Sequence, residues 1–246
     1  MKAIDSKTND YLDMILENDP SMDKASLLHY IDFLFSPVEC QGKRVLDIGG
    51  GGGMASFYAH CKGASRVVCL EPEAAGSTTG VCADFQKMAA RIGAQNVELV
   101  NNTFQEYSAE PNSFDIIILD ASINHLDEDA CINLLKNQKA RETYMDIFNK
   151  MFTLAASGAD IIIRDVSNLN VFPLLGLTNP KAKTIEWFKH QRPGTWASML
   201  KAAGFTSPKT KWYSYRRLGP LGQVVFGNCI GSFFLTSTFC LQMKKP

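Results

Sequence analysis

Apolar and polar positions change their rhythm twice along the 246 residues. Residues 7–35 carry apolar positions at helical spacing. Tyr11, Leu12, Met14, Ile15 and Leu16 lead a first amphipathic stretch, and Leu27, Leu28, Ile31, Phe33 and Leu34 lead a second. Asp19-Pro20-Ser21 is a natural break between them. From residue 44 onward, short β-rich apolar runs alternate with longer helical ones. Strands are predicted at 44–48, 66–70, 97–101, 114–119 and 160–164, with helices at 54–61, 79–92 and 143–156. The run Ile116-Ile117-Ile118-Leu119 has no polar alternation, which suits a strand covered on both faces. Strands alternating with helices imply an α/β fold built on a mostly parallel sheet.

The rhythm fails between 165 and 195. That segment contains three prolines and has no clear period, and an irregular excursion of such length usually serves function, often as a lid. A helix at 196–203 closes at Gly204, and 207–243 reads as two or three β-strands. Residues 224–243 are strongly apolar but interrupted by Gly227, Asn228, Gly231 and Ser232. They are expected to form buried β-structure rather than a membrane helix. The expected organisation is one domain over 1–246. It comprises a helical cap (1–40), a cofactor-binding core (41–165), a lid-like insertion (166–195) and a C-terminal helix with strands (196–246).

At the end of the first strand the chain reads Val45-Leu46-Asp47-Ile48-Gly49-Gly50-Gly51-Gly52-Gly53. Glycine has no Cβ and reaches positive φ cheaply, so such a backbone can lie against a ligand. The helix that follows offers unpaired N–H groups. A dinucleotide fingerprint, G-x-G-x-x-G, fails in two registers and survives only in its looser form, with Ala55 last, so that reading is weakened but not removed. The fuller fit is D-x-G-x-G-x-G on Asp47, Gly49, Gly51 and Gly53. The second strand ends in Cys69-Leu70-Glu71-Pro72, with Glu71 18 positions beyond Gly53. A carboxylate there can accept charge-assisted hydrogen bonds from ribose hydroxyls. Asn102-Thr103-Phe104 follows the third strand, and Asp120-Ala121-Ser122 ends the fourth.

Taken in order, these four landmarks resemble the class I, Rossmann-like methyltransferases, and the likeness covers roughly residues 40–165. It implies a seven-stranded, mostly parallel sheet with helices on both faces and S-adenosyl-L-methionine as cofactor, with S-adenosyl-L-homocysteine as product. It also implies that Asp47, Gly49, Gly51, Gly53, Glu71, Asn102, Thr103, Phe104, Asp120 and Ala121 line the cofactor site. Among the candidates for catalysis, His125 follows the fourth strand, Asp165 follows the fifth, and His190 stands among aromatic and basic residues of the excursion. Asp165 is placed to orient substrate or His125, and Tyr11 and Tyr30 to roof the pocket from the N-terminal helices.

Other features narrow the acceptor. Asp120-Ala121-Ser122-Ile123 is not the N/D-P-P-Y of base and amide methylation. No cysteine stands where RNA cytosine enzymes hold theirs, and Asp120 with Asp165 does not complete a metal-dependent catechol pattern. A metal-independent enzyme acting on a small, partly apolar molecule by O-, N- or C-methylation is expected. The alternatives are a protein or RNA methyltransferase and a non-catalytic binding module. Lysine plus arginine equals aspartate plus glutamate, 25 each, so no global field favours nucleic acid or a membrane, and neither is expected as a partner. The basic, aromatic stretch 209–217 is read mainly as an edge strand. Seven cysteines, none in C-x-x-C pairs, argue against disulfides or zinc. With no apolar leader, the expectation is a cytoplasmic monomer or homodimer.

Overall fold

The structure is a computed structural model that describes residues 6–18, 22–72 and 80–246. The expected break at 19–21 lies outside the described residues, as does residue 79, the expected start of the second core helix. In chain order the elements are α1 (Ser6–Asn18), α2 (Lys24–Phe35), β1 (Arg44–Ile48), α3 (Met54–Cys61), β2 (Arg66–Leu70), α4 (Val81–Ile92), β3 (Val97–Val100) and β4 (Phe114–Asp120). Then follow α5 (Glu128–Asn133), α6 (Gln138–Leu154), β5 (Ala155–Val166), α7 (Val171–Leu174), α8 (Pro193–Ala202), β6 (Thr206–Trp212), α9 (Gly219–Phe226), α10 (Cys229–Phe233) and β7 (Thr238–Lys244). Local chemistry sets several boundaries. The Asp23 carboxylate accepts the Ser26 N–H at 2.8 Å to start α2, Asn137 caps α6, and Gly93 ends α4 in the left-handed region.

The seven strands form one sheet in the order β3-β2-β1-β4-β5-β7-β6. Strands β1 to β5 pair in parallel, while β7 runs antiparallel to both β5 and β6. The continuous apolar strands are explained by the two faces they serve. Leu46, Val68, Ile117 and Ile161 pack in a core with α6 and α8, and Val45, Val67, Ile116 and Ile162 pack under α2 and α3. Helix α2 is therefore packed into the body of the fold. Leu27, Ile31 and Leu34 of α2 are buried on the sheet, and the Lys211 ammonium on β6 donates to the Phe33 and Ser36 carbonyls.

Two expectations need correction. Only 238–243 of the apolar stretch 224–243 is strand. The preceding residues form α9, α10 and the turn that closes α10, where the side chains of Leu221, Val224, Val225, Ile230 and Phe234 are exposed. The breakers decide this. Pro220 sits in the first turn of α9, where its missing N–H costs nothing, and the Asn228 side chain accepts the N–H groups of Ile230 and Gly231 to start α10. The stretch 207–243 thus contains two strands split by helices. Residues 209–212 do lie on the edge strand β6, but Arg216 and Arg217 leave it to pair with Asp23. Among the described residues, no helix is long and apolar enough to cross a membrane.

Candidate active site

The parallel strands β1, β2, β4 and β5 end at one edge of the sheet, where ligands of α/β folds settle. The glycine turn rises there from β1. Gly49 and Gly50 donate to the Leu70 carbonyl at 2.8 and 3.2 Å, which ties the turn to the end of β2. Gly49, Gly51 and Gly53 all have positive φ, at 66°, 54° and 82°. The register that uses Asp47 thus coincides with the alternate positions that favour glycine. A Cβ at Gly51 would meet nothing within 4 Å, so this part of the turn faces open space.

Three carboxylates converge on the turn. Asp47 is fully buried, and its Oδ2 accepts the Ser56 N–H at 3.1 Å and the Ser56 hydroxyl at 2.7 Å, pinning the start of α3. Its Oδ1 has no hydrogen-bond partner among the described residues. Burial, with smaller contributions from Asp120 and Glu71, pushes the Asp47 carboxyl up to about 7. Glu71 is also buried, and its Oε2 accepts the Gly51 N–H at 2.8 Å. At the end of β4, Asp120 accepts the Tyr30 hydroxyl at 2.7 Å and the Arg164 Nε–H at 2.5 Å. Burial and the Asp120 charge hold the Tyr30 phenol well above its usual range. Ala121 follows with φ 58°, a left-handed turn unusual for alanine. Its N–H donates to the Arg164 carbonyl at 2.8 Å, and the Ser122 hydroxyl donates to the Ile48 carbonyl at 2.5 Å. Arg164, Ser56 and Ser122 are the residues that sequence reasoning missed. The available signal for Arg164 was register, since it lies opposite Asp120 across the β4–β5 pair.

The three candidate catalytic residues separate into two groups. His125 is 57% exposed in side chain, and its Nδ1 pairs with Glu128 at 2.6 Å, away from Asp165. Asp165 is instead joined by His190, whose Nδ1 lies 2.9 Å from its Oδ1. A carboxylate only accepts, so His190 Nδ1 is the donor, and in the neutral ring this leaves Nε2 as the acceptor. Nε2 makes no hydrogen bond among the described residues, and the ring is only 13% exposed. Asp165 Oδ1 also accepts the Val166 N–H, while Oδ2 is buried without a partner. Beyond β3, Asn102 is exposed and Thr103 is held by Glu106 at 2.8 Å. The Phe104 ring is buried in the core with Leu46 and Val68, so it supports this part of the site from below. Tyr11 from α1 donates to the Met54 carbonyl at 2.8 Å, and Tyr30 comes from α2. The N-terminal helices thus reach both the glycine turn and the end of β4.

Comparison with known families decides between the nucleotide-type readings. Residues 22–207 match the family described as "Methyltransferase domain". The chain belongs to that family. No curated protein matches it. Solved structures share the fold at low identity. The PH0226 protein from Pyrococcus horikoshii OT3 is 16% identical at a TM-score of 0.62, covering 93% of each chain. An S-adenosylmethionine dependent methyltransferase from Mesorhizobium loti is 14% identical at 0.57, covering 84% of this chain and 93% of that one. The cyclase SpnF is 14% identical at 0.57, covering 91% of this chain and 82% of that one.

This methyltransferase takes S-adenosylmethionine as its cofactor, and the residues present fit that group. S-adenosylmethionine carries a sulfonium and an ammonium, and an end lined by Asp47, Glu71 and Asp120 complements positive charge. A pyrophosphate would be repelled there, and the Gly51 N–H it would need is already taken by Glu71. The unpartnered Asp47 Oδ1 is a buried acceptor that a cationic ligand would relieve.

Proposed function

We propose that this methyltransferase acts on a small, partly apolar acceptor whose nucleophile loses a proton, with His190 as the general base and Asp165 as its positioning partner. The observation that carries this reading is the His190–Asp165 pair at the C-terminal end of β5. In this reading the glycine turn with Gly49, Gly51 and Gly53, together with Asp47, Glu71 and the Asp120–Ala121 turn, forms the cofactor side. The lid supplies the acceptor side through His190 and its neighbour Phe188, an exposed ring.

The bound cofactor supplies an electrophilic methyl group on sulfur, and the protein's task is alignment and proton removal. Asp165 fixes the imidazole through Nδ1 and leaves Nε2 free to accept the acceptor's proton. The resulting imidazolium is stabilised by the same carboxylate, whose second oxygen is buried and unpartnered. Asp120 is held away from this work, clamped by Arg164 and Tyr30. His125, paired with Glu128 at the surface, is not assigned the base.

The test is labelled methyl transfer screened over hydroxylated small molecules, peptides and tRNA, followed by pH profiles of kcat/KM for wild type and His190→Asn. Removal of a general base costs about 10²- to 10⁴-fold and abolishes the acid limb of the profile. An unchanged profile in His190→Asn would overturn the base assignment, and transfer only into polymer would overturn the acceptor class.

A further inference from the structure

The neutral overall charge conceals a division. Residues 166–246 contain eleven lysines and arginines and one acid, Glu186, while residues 1–165 contain fourteen and twenty-four. The basic third also contains Leu218 to Met243, 26 consecutive residues without a charge. In the fold, β5 ends at Val166 opposite Thr238, and Trp212 lies opposite Phe239. Segments 167–192 and 213–237 therefore leave the sheet at the same end, the end that holds Asp165 and His190.

These segments are stitched together. Asn170 and Asn179 are buried, and both donate to the Leu235 carbonyl, at 3.0 and 2.6 Å. The Ser237 hydroxyl donates to the Leu169 carbonyl at 2.8 Å. Helices α9 and α10 meet backbone to backbone, since a Cβ on Gly231 would lie 2.3 Å from the Val225 carbonyl oxygen. The construction is well tied, yet it turns its aliphatic side chains outward. Leu221 is 83% and Ile230 72% exposed, with Val224, Val225 and Phe234 alongside. Leu174, Leu175 and Leu177 are exposed on the stitched neighbour. Isolated exposed leucines need no explanation, but two joined segments bearing many of them do.

The cations beside this apolar face choose its occupant. Lys181 lies over the Tyr215 ring at 6.0 Å, two residues before Arg217 and four before the start of α9. Lys183 is exposed. Arg216 and Arg217 share one carboxylate, Asp23, and so keep a net positive charge. Glu186, the sole acid of the segment, is bonded to Lys189 at 2.8 Å. Two copies of such a face would repel one another. Nucleic-acid interfaces are polar and rely on dispersed cations and stacking rings, whereas this face is chiefly Leu, Val and Ile.

We infer that α9, α10 and the 171–177 segment dock on an anionic lipid surface, their aliphatic side chains entering the headgroup boundary and Lys181, Lys183, Arg216 and Arg217 facing lipid phosphates and carboxylates. Docking there places the lid and the His190 end of the sheet at the membrane, where an apolar acceptor is concentrated. The inference stands on exposure and charge, independently of the role given to His190.

Flotation of the full chain with phosphatidylcholine vesicles, with and without about one-third phosphatidylserine, is the test. Binding is expected to the mixed vesicles and to weaken as salt is raised. Lys181→Gln with Lys183→Gln should lower affinity roughly 25-fold, about fivefold per cation. Leu221→Ser with Ile230→Ser should abolish binding while the circular dichroism spectrum is retained. The lysine pair is fully surface-borne and keeps the test valid if the aliphatic pair fails to fold. Equal binding to both vesicle types, or no binding to either, would overturn the inference. So would a dimer in sedimentation that Leu221→Ser with Ile230→Ser dissociates, or retention of tRNA in place of vesicles.

Discussion

Gly51 and Gly53 stand two residues apart in the same turn, both in the left-handed region, yet replacing each by alanine should have opposite consequences. An alanine at positive φ costs about 1 kcal/mol at either position. At Gly51 that is nearly all, because the new methyl meets nothing within 4 Å. At Gly53 the methyl would lie 2.5 Å from a Phe85 ring carbon and 2.7 Å from one of Phe57. Both rings are buried and packed at a tilt of 39° with 4.5 Å between centroids, so neither can swing away. Overpacking of this kind adds about 1–3 kcal/mol. Gly53→Ala should therefore lose about 2–4 kcal/mol, a drop in Tm of roughly 5–15 °C for a chain of this size, against a few degrees for Gly51→Ala. Binding should split the other way. Gly51→Ala places its methyl in the open side of the turn and should weaken S-adenosylhomocysteine by about tenfold or more, the effect of roughly 1–2 kcal/mol of clash. Thermal unfolding and titration calorimetry on both variants read the two effects separately. Equal loss of stability would refute the packing of the turn, and wild-type affinity in Gly51→Ala would refute its role as the cofactor surface.

Two further expectations concern the carboxylates. Asp47 titrates near 7 in the folded chain and near 4 when unfolded. Between those values the folded state holds a proton that the unfolded state lacks, so stability falls as pH rises from about 4 to 7, by at most about 4 kcal/mol. Urea unfolding at pH 5 and pH 8 should show this fall in the wild type and a flatter response in Asp47→Asn; identical pH dependence in the two would sink the assignment. Arg164→Met leaves Asp120 without its guanidinium partner and should cost about 3 kcal/mol, partly recovered by adding Asp120→Asn. A loss below about 1 kcal/mol, as for an exposed pair, would show that the clamp is not structural.

The core was readable because each strand there answers to two packed faces. Val45 and Leu46 point to different layers, and both must be apolar, so the pattern of β1 to β5 is strong. The glycine register was readable for a similar reason, since positive φ at alternate positions leaves a mark in residue type. What pairs with what was not readable. The Asp165–His190 contact joins residues 25 apart through an irregular lid, and nothing periodic announces it. Asp165 was expected to serve His125 as readily, and the turn at Glu128 takes His125 elsewhere. The stretch 224–243 misled for a different reason. Apolar composition signals burial only if something covers it, and in α9 and α10 nothing within the described chain does.

The central claim is that the turn from Asp47 to Gly53, closed by Glu71, holds S-adenosylmethionine. Calorimetry with S-adenosylhomocysteine on wild type and Glu71→Ala tests it most directly. Loss of a carboxylate that accepts charge-assisted bonds from the ribose should weaken binding by about 10- to 100-fold, with the fold retained. Unchanged affinity in Glu71→Ala, or a wild-type chain that binds a dinucleotide in preference to S-adenosylhomocysteine, would contradict it.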